Sequence, residues 1–447
     1  MSDFDLKSHL LETYFEKSGE ELVVGGIPVS KLAEEHGTPL YVYDAAILRR
    51  NLDELRGALP KCIEIYFSVK ANPNPAVIRH FVQAGTGLEI ASAAEFLRAQ
   101  AGGGDAKRIL FAGPGKGEAE LDLVVRAGIG EIHIESDEEI ERLEAIAKDT
   151  GKKVHAAVRV NPSAAGTGGA MRMGGQAAAF GIDEERLEEV VRRLVASEHL
   201  EFSGVHMFAG TQILDAGVLC DQWSHALEVA KRAAGFAGAP VATLDLGGGL
   251  GVPYFAHEKP LDLAALRAGA TALFASAEAE PLLAGTRFIL EPGRYLAGPA
   301  GLYLARVLSV KESRGKRFVI LDGGMHHHLA ASGNLGQVIK RDYPIVNASR
   351  LTEDTAGPAV TVGPLCTPLD TIGRQAELPE TKPGDLVAVL QSGAYGLTAS
   401  PVGFLSHPMP AEVLIDNGAA TTIRPRGTFE QPIVPLPEVS WPGRNAS

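Results

Sequence analysis

The alternation of apolar and charged stretches between about residues 44 and 300 predicts repeated pairs of a strand and a helix. Eight apolar runs rich in β-branched residues have the length of strands, at residues 63–69, 87–91, 108–112, 131–134, 154–160, 202–207, 243–246 and 287–290. Eight parallel strands close a barrel. An open doubly wound sheet fits the same alternation, but it does not bring every strand end to one face. The pattern therefore favours an α/β fold with a (β/α)8 TIM-like barrel.

After about residue 300 the pattern changes to short alternating runs separated by turns, at residues 302–310, 318–321, 359–362 and 386–390. Such runs are typical of an antiparallel β domain. We expect residues 1–43 to be an N-terminal segment that contributes to this domain, residues 44–300 to form the barrel, and residues 301–447 to form the β domain. The glycine-rich segment 164–175 is predicted to be a mobile loop near the barrel mouth, and the tail 424–447 to be loosely ordered.

The composition restricts the partners that the chain can have. A formal charge of -13 disfavours nucleic acid and anionic membranes, both of which attract basic surfaces. Three scattered cysteines suggest a reducing compartment, and no apolar run reaches the length of a membrane span. We therefore expect a soluble, cytoplasmic protein that acts on small molecules.

Lys70 follows the first predicted strand in the stretch EIYFSVKANPNP, where two prolines stop the strand. A lysine with apolar neighbours loses its proton more readily than a solvated lysine, and the neutral amine can form an imine with an aldehyde. Taken alone, a solvated lysine at a strand end is the commoner explanation. The other strand ends change this balance.

Three of those ends carry groups that a phosphorylated ring could use. In DLGGGLG, the backbone amides of Gly248 and Gly249 can converge on a phosphate, although a tight turn is the commoner use of such a run. In EPGR, Glu291 can keep a pyridine nitrogen protonated and Arg294 can bind a phosphate or carboxylate. His206 offers a flat ring one strand earlier. A structural ion pair and a buried histidine remain the ordinary alternatives for these last residues.

Several motifs in order along the chain carry a family resemblance: YFSVKANPNP, EIAS, VHMFAGTQ, DLGGGLG, EPGR, DGG, GPLCTPLD and SGAYG. As a set they resemble the fold-type III pyridoxal-phosphate decarboxylases, which include diaminopimelate and ornithine decarboxylases. The resemblance covers nearly the whole chain. It implies a pyridoxal 5'-phosphate cofactor, the barrel and β domain of alanine racemase, and release of carbon dioxide from an amino acid.

The resemblance also implies roles for individual residues. Lys70 would hold the cofactor as an imine, His206 would stack on its ring, and Glu291 would pair with the ring nitrogen. The phosphate would be held by Gly248, Gly249, Gly293, Arg294 and Tyr395. Cys366 would return a proton to the carbanion, and the substrate candidates are Arg294, Arg341, Thr367, Asp370 and Tyr395. Because Cys366 and Tyr395 reach into the neighbouring subunit's site in this family, a head-to-tail homodimer with shared active sites is implied.

One departure from the family bears on the substrate. The residue after the catalytic cysteine is acidic in diaminopimelate and ornithine decarboxylases and holds the distal amine, whereas here it is Thr367. A desolvated ammonium without that carboxylate would cost several kcal/mol. The distal end of the substrate is therefore expected to be uncharged, anionic or tethered.

Other segments agree with that departure. The segments HMFAGTQ, MRMGGQAAAFGID and SPVGFLSHP resemble the branch that contains the butirosin-pathway decarboxylase, which acts on glutamate attached to an acyl carrier protein. The same branch includes the decarboxylases that accompany exosortase systems. Arg341 aligns with an arginine that binds substrate carboxylate, or it is a surface charge. Three consecutive histidines, residues 326–328, cannot all face one ion, so we predict no metal site.

The sequence leaves other functions open. Turnover of diaminopimelate or another free amino acid is one alternative, and racemisation, as in alanine racemase, is a second. A non-catalytic homologue comparable to antizyme inhibitor is the third. Such a homologue should lose cofactor residues, whereas Lys70, His206, Glu291 and Cys366 are all present. The set therefore favours a pyridoxal-phosphate decarboxylase.

Overall fold

The computed structural model describes residues 4–163, 171–172, 177–208, 210–337 and 339–435, and it divides the chain into two units. The barrel unit comprises Asn51–Val252 and Pro260–Tyr295, and the β unit comprises Met1–Arg50, Pro253–Lys259 and Leu296–Ser447. The sequence boundaries at residues 43/44 and 300/301 stay a proposal. Apart from residues 171–172, the predicted mobile loop 164–175 lies outside the described residues, as do residues 436–447 of the predicted loose tail.

Eight parallel strands form the wall of the barrel unit: Ile63–Ser68, Gly87–Ile90, Ile109–Phe111, Glu131–Ile134, Val154–Asn161, Leu200–Met207, Thr243–Asp245 and Arg287–Leu290. Each strand pairs with the next one in the chain, and the eighth pairs with the first, so the sheet closes on itself. The predicted (β/α)8 barrel and its eight strands are confirmed. The largest difference is the start of the sixth strand, at residue 200 instead of 202.

Helices cover the outside of a barrel of this kind. In the barrel unit they are Pro75–Gln83, Ala93–Ala101, Glu118–Arg126, Asp137–Thr150, Leu187–Ala196, Ala216–Ala237 and Leu263–Glu278, and the boundary at residue 50 falls within a further helix, Ala45–Ala58. Short helical turns occupy Val69–Ala71, Ala106–Arg108, Glu184–Arg186 and Pro281–Leu283. A short strand, Ile182–Asp183, adds to the fifth barrel strand.

The motif ANPNP lies between the first strand, Ile63–Ser68, and the helix Pro75–Gln83, and its residues favour the start of that helix. The Asn74 side chain accepts a hydrogen bond from the Ala76 amide at 3.0 Å, and Pro75 takes the first helical position. Both residues are favoured at helix N-termini, since the cap satisfies a free amide and proline has none to satisfy. Lys70 therefore lies in the turn Val69–Ala71, which directly follows the first strand Ile63–Ser68.

In its described residues the β unit contains the helices Leu6–Tyr14 and Val29–His36, the short helical turns Gly298–Ala300, Leu397–Ala399 and Phe404–Ser406, and a set of strands. The strands are Glu16–Ser18, Glu21–Val24, Ile27–Pro28, Leu40–Asp44, Gly301–Ser313, Lys316–Leu321, Ile345–Asn347, Pro358–Val362, Thr371–Glu377, Leu386–Val389, Ala411–Asp416 and Ala419–Arg424. Most pairings are antiparallel, as predicted. Two pairings are parallel, so the sheet is mixed; both join strands separated by long connections, as parallel pairing requires.

The core of the β unit contains residues from both ends of the chain. Leu22 and Leu32 lie in one buried cluster with Leu302, Leu304 and Val413. The short strands Glu21–Val24 and Ile27–Pro28 thus share a core with longer strands, which short strands need for their stability. Among the described residues, no helix combines the length and the apolar character needed to cross a membrane.

Candidate active site

The Lys70 amine lies beside a buried carboxylate at the end of the second barrel strand. Its Nζ is 3.3 Å from Glu89 Oε1, and the Ser68 hydroxyl donates to Glu89 Oε2 at 2.5 Å. Glu89 is 1% exposed, whereas the Lys70 side chain is 45% exposed. The amine is thus oriented by a fixed carboxylate and remains accessible to a ligand.

A second carboxyl group near Lys70 has a shifted pKa. Glu95 lies in the helix Ala93–Ala101, and its Oε2 accepts a hydrogen bond from the Ala91 amide at 2.7 Å. Burial, helped by the charge of Glu89, raises the pKa of Glu95 to about 7, although Lys70 opposes the shift. This side chain therefore titrates close to neutral pH.

The turn that carries Lys70 packs against the EPGR segment. The Ser68 amide donates to the Pro292 carbonyl at 3.4 Å. A Cβ atom on Gly293 would lie 2.9 Å from Ala71 Cβ and 3.1 Å from Ser68 Cβ, which is too close for any larger residue. Gly293 therefore lets the end of the eighth strand approach the lysine turn, and this close approach brings Lys70 and Glu291 to the same region of the barrel.

Four buried side chains form a carboxylate–histidine cluster at the ends of the fourth, sixth, seventh and eighth strands: His133, His206, Asp245 and Glu291. One ligand atom from each lies within 4.8 Å of the others. His206 Nε2 is 3.5 Å from Glu291 Oε2, and the rings of His206 and His133 are 4.4 Å apart. The structure thus brings the predicted His206 and Glu291 together.

The protonation states of this cluster follow from its burial and its internal contacts. Burial lowers the pKa of His206 to about 4, so its ring is neutral at pH 7. Burial and the adjacent Glu291 hold the pKa of Asp245 well above its ordinary value. Although burial acts in the opposite direction, contacts with His206 and Asp245 hold the pKa of Glu291 below its ordinary range. Of these two carboxyl groups, Glu291 therefore loses its proton more readily than Asp245.

Several polar atoms of the cluster make no hydrogen bond within the described residues. These buried atoms are both ring nitrogens of His206, Glu291 Oε1, Asp245 Oδ2 and His133 Nδ1. Buried polar atoms are nearly always paired, so a group of unpaired ones indicates a place for a ligand. A protonated pyridine nitrogen fits an anionic Glu291, and a flat ring fits a neutral His206. The same donor set could hold a divalent cation.

The turn after the seventh strand presents bare backbone next to Glu291. Asp245 Oδ1 accepts from the Gly247 amide at 2.8 Å, and Gly247 and Gly249 have φ values of 66° and 97°, which favour glycine. A Cβ atom on Gly248 would overlap the Glu291 carbonyl oxygen. Arg294 follows at the start of the helix Arg294–Ala297. Exposed amides beside an arginine are suited to phosphate.

In the β unit, Cys366 and Asp370 lie between the strands Pro358–Val362 and Thr371–Glu377. Cys366 is a free, exposed thiol. Asp370 is buried, and its two oxygens accept hydrogen bonds from the Met325 amide at 2.6 Å and the Leu365 amide at 2.8 Å. Its carboxylate therefore fixes the residue that precedes Cys366. The substrate role predicted for Asp370 stays a prediction.

Two of the remaining predicted residues of the β unit, Thr367 and Arg341, contact other residues of that unit. The Thr367 hydroxyl accepts a hydrogen bond from the Leu369 amide at 3.3 Å. Arg341 Nη1 donates to His257 Nε2 at 2.9 Å, and its guanidinium lies 5.6 Å from the centre of the Phe255 ring. Tyr395 has a φ of 53° within the SGAYG turn. Their predicted contacts with substrate or phosphate stay predictions.

The three consecutive histidines of the β unit have separate surroundings. His328 Nε2 is 2.9 Å from the Ser392 hydroxyl, and His327 Nε2 is 3.1 Å from the Pro408 carbonyl. The His326 ring lies against the His327 ring, with centres 3.7 Å apart and planes tilted by 42°. Because each ring faces a different partner, the three do not converge on one point.

Sequence reasoning missed some members of the barrel cluster. His133 falls in the predicted strand 131–134, and Asp245 falls in the predicted strand 243–246 and opens the motif DLGGGLG, but these patterns give neither side chain a role. His133 Nε2 contacts Glu131 Oε1 at 3.1 Å and lies 3.9 Å from Asp245 Oδ2. A signal was present, since strands of a closed barrel are buried on both faces and a charged residue inside one needs a reason.

Comparisons with known proteins agree with this geometry. The pyridoxal binding domain of the pyridoxal-dependent decarboxylases matches residues 45–298. The chain is 39% identical to the L-glutamyl-[BtrI acyl-carrier protein] decarboxylase of Niallia circulans, over 90% of this chain and 94% of that one. It is 32% identical to the diaminopimelate decarboxylase of Aquifex aeolicus, over 94% and 97% of the two chains.

A solved structure shares the architecture over nearly the full length. The diaminopimelate decarboxylase of M. jannaschii in complex with L-lysine has a TM-score of 0.85 and 25% sequence identity, and the match covers 95% of this chain and 98% of that one. The matched family model, the relatives and this structure lead to one conclusion. The chain belongs to the pyridoxal-dependent decarboxylases, which use pyridoxal phosphate as their cofactor.

Proposed function

We propose that this decarboxylase removes carbon dioxide from an α-amino acid whose far end is not a free amine and is attached to an acyl carrier protein. The observation that carries the proposal is Thr367, which stands where a distal amine would require a carboxylate. Its hydroxyl already accepts a hydrogen bond from the Leu369 amide. A relative that is 39% identical acts on glutamyl groups of a carrier protein, which supports the same substrate class.

The barrel residues would bind and orient the cofactor. When bound, pyridoxal phosphate supplies a ring that accepts the electrons of the breaking bond to the carboxylate. The Lys70 amine would hold the cofactor aldehyde, with Glu89 orienting the amine from 3.3 Å. The Glu291 carboxylate would hold a proton on the ring nitrogen, because the pKa of Glu291 is lowered whereas that of Asp245 beside it is raised. The neutral His206 ring would lie against the cofactor ring.

The phosphate would be held by the turn after the seventh strand and by the EPGR segment. Gly248 and Gly249 lack side chains that would block an oxygen approaching their amides, and Gly293 and Arg294 follow Glu291 after Pro292. Tyr395 of the β unit is proposed as a further phosphate contact on the basis of the family resemblance. This assignment places one anion beside amides and a guanidinium.

The β unit would supply the proton that replaces carbon dioxide. Cys366 is exposed, and Asp370 fixes the residue before it, so the thiol is presented on a defined turn. The family resemblance implies that Cys366 and Tyr395 serve the partner subunit's site in a head-to-tail homodimer. We propose this assembly and a cytoplasmic location together with the activity, and Arg341 as a contact for the substrate carboxylate.

The proposal is tested by measuring carbon dioxide release from four substrates at equal concentration: glutamate attached to an acyl carrier protein, free glutamate, diaminopimelate and ornithine. We expect the carrier-linked substrate to be turned over with the highest kcat/KM. Diaminopimelate as the best substrate would contradict the proposed specificity and leave the decarboxylase assignment intact.

A substitution at Thr367 sharpens this test. Thr367→Glu places a carboxylate at the position where related decarboxylases hold a distal amine, so turnover of the carrier-linked substrate should fall and that of diamino acids should rise. Thr352→Glu, at an exposed position of the same unit, is the matched control and should change neither. Equal effects of the two substitutions would show that charge alone, and not its position, is responsible.

A further inference from the structure

The segment after the sixth barrel strand runs alongside the glycine turn proposed to hold phosphate. The Ile213 amide donates to the Gly249 carbonyl at 2.9 Å, and the Gly251 amide donates to the Ile213 carbonyl at 2.9 Å. These two hydrogen bonds form an isolated parallel bridge between Ile213 and Leu250. The position of the glycine turn is therefore set by its neighbour in space as well as by the seventh strand.

Gln212 adds a side-chain clamp to this bridge. Its Nε2 donates to the Val252 carbonyl, and its Oε1 accepts from the Val252 amide at 3.3 Å. The primary amide thus pairs with both polar groups of one residue, as a neighbouring strand would. Val252 is 3% exposed, so its backbone groups have little access to water and depend on this partner.

The backbone of Gln212 is adapted to this contact. Its φ is 60°, in the left-handed region that residues other than glycine, asparagine and aspartate rarely adopt. Glycine would adopt this φ with less strain than glutamine. The strain at Gln212 therefore indicates that the hydrogen bonds of its side chain are needed at this position. A Cβ atom on Gly251 would lie 2.9 Å from the Gln212 carbonyl carbon, so the two segments are in direct contact.

We infer that Gln212 is a positioning residue for phosphate binding: its amide holds the far end of the 247–252 turn so that the turn's free amides converge on one anion. Gln212 itself does not contact the cofactor in this account. The inference rests on the proposed role of Gly248 and Gly249 and deepens it, because it names the residue that keeps the turn in its binding shape.

Two ligands separate this role from a general structural one. Pyridoxal phosphate and pyridoxal share the ring and the aldehyde, and only the first carries phosphate. Their dissociation constants with the cofactor-free protein are measured by the absorbance band that depends on Lys70. We expect Gln212→Gly, which relieves the strained φ, to weaken pyridoxal phosphate about tenfold and to change pyridoxal less than about twofold.

Gln212→Glu provides a second variant of the same length, in case the glycine variant does not fold. It keeps the acceptor for the Val252 amide and loses the donor to the Val252 carbonyl. Its preference for pyridoxal phosphate over pyridoxal should therefore also be smaller than that of the wild-type protein. Gln83→Glu, at the end of the helix Pro75–Gln83, is the matched control and should keep the wild-type preference.

The possible failures can be told apart. An unchanged preference in both Gln212 variants, or equal weakening of the two ligands, would overturn the positioning role and leave the cofactor site in place. If the wild-type protein did not distinguish the two ligands, or gave the same band in Lys70→Ala, the proposed site itself would fall, and the role of Gln212 with it.

Discussion

Two buried polar clusters of the barrel unit differ in how completely their charges are paired. One is the carboxylate–histidine cluster described above. The other, which we call the ion-pair network, consists of Lys116, Glu135, Glu139 and Arg159, all of which are buried. In the network, Lys116 Nζ is 2.8 Å from Glu139 Oε1, and Arg159 Nη1 is 2.7 Å from Glu135 Oε1.

The ion-pair network is further tied to the backbone around it. Glu135 Oε1 accepts from the Gly113 amide at 2.6 Å, and Oε2 accepts from the Gly181 amide at 3.0 Å. Lys116 Nζ donates to the Gly113 carbonyl at 2.6 Å. These contacts lower the pKa of Glu135 although burial opposes them, with Arg159 as the main cause.

The comparison teaches how a buried charge can be interpreted. In the ion-pair network the charges are used to hold the strand ends together, which is a structural task. In the carboxylate–histidine cluster five buried polar atoms make no hydrogen bond within the described residues, at a cost in stability, whereas the network has one such atom, Glu139 Oε1, which lies 2.8 Å from Lys116 Nζ. Such a cost is common at binding sites, where the ligand completes the pairing.

The largest effect is expected in the ion-pair network. Glu135→Gln leaves Arg159 as a buried cation without its carboxylate, so the free energy of unfolding should fall by about 3–5 kcal/mol. Unfolding in urea measures this change. Glu188→Gln, which breaks an exposed pair with Arg192, is the control and should change stability by less than about 0.5 kcal/mol. A similar small loss in both variants would remove the distinction drawn between the two clusters.

In the carboxylate–histidine cluster the same substitution should affect activity rather than stability. Glu291→Gln removes the anion proposed to hold the ring proton, so carbon dioxide release should fall by about 100-fold, or about 2.7 kcal/mol. The cofactor-free protein should lose less stability than in Glu135→Gln, because the neighbouring His206 is neutral and no buried cation is left without its carboxylate. If Glu291→Gln unfolded the protein as easily as Glu135→Gln does, both clusters would be structural.

Asp370 in the β unit resembles Glu135 of the ion-pair network, because both oxygens of its carboxylate accept hydrogen bonds from backbone amides. Asp370→Asn replaces one acceptor with a donor that faces the amide of Met325 or Leu365. The free energy of unfolding should fall by about 1–3 kcal/mol, as for one lost buried hydrogen bond. Asp354→Asn, at an exposed position, is the control. No loss in Asp370→Asn would show that the carboxylate is free for another task.

The smallest effect concerns pH. The pKa of Glu95 is raised to about 7 in the folded protein, whereas in the unfolded chain it is near 4. The folded state binds the extra proton, so the free energy of unfolding should fall as pH rises between these values, by about 1 kcal/mol for a half-buried group. Glu95→Gln should flatten this slope and exposed Glu118→Gln should not. An equal slope in wild type and Glu95→Gln would contradict the raised pKa.

Much of the site could be predicted because its residues follow the ends of strands. The pattern placed His206 near the end of a predicted strand and Lys70, Glu291 and the glycine run directly after predicted strands, and barrel geometry brings those ends together. His133 could not be assigned this way, because its role depends on contact with the ring of His206, 73 residues away in the sequence. The hydrogen bond between Asp370 and the Met325 amide could not be predicted either, since Met325 lies 45 residues earlier in the sequence. Local patterns do not contain pairings of that range.

The central claim is that the carboxylate–histidine cluster receives the ring nitrogen of pyridoxal phosphate. It is tested most directly with a cofactor analogue in which a carbon replaces that nitrogen. Wild-type protein should release carbon dioxide much faster with pyridoxal phosphate than with the analogue, and Glu291→Gln should lose most of this difference. If Glu291→Gln kept the full wild-type difference between the two cofactors, the ring nitrogen would not lie at Glu291, and the assignment of the cluster would be wrong.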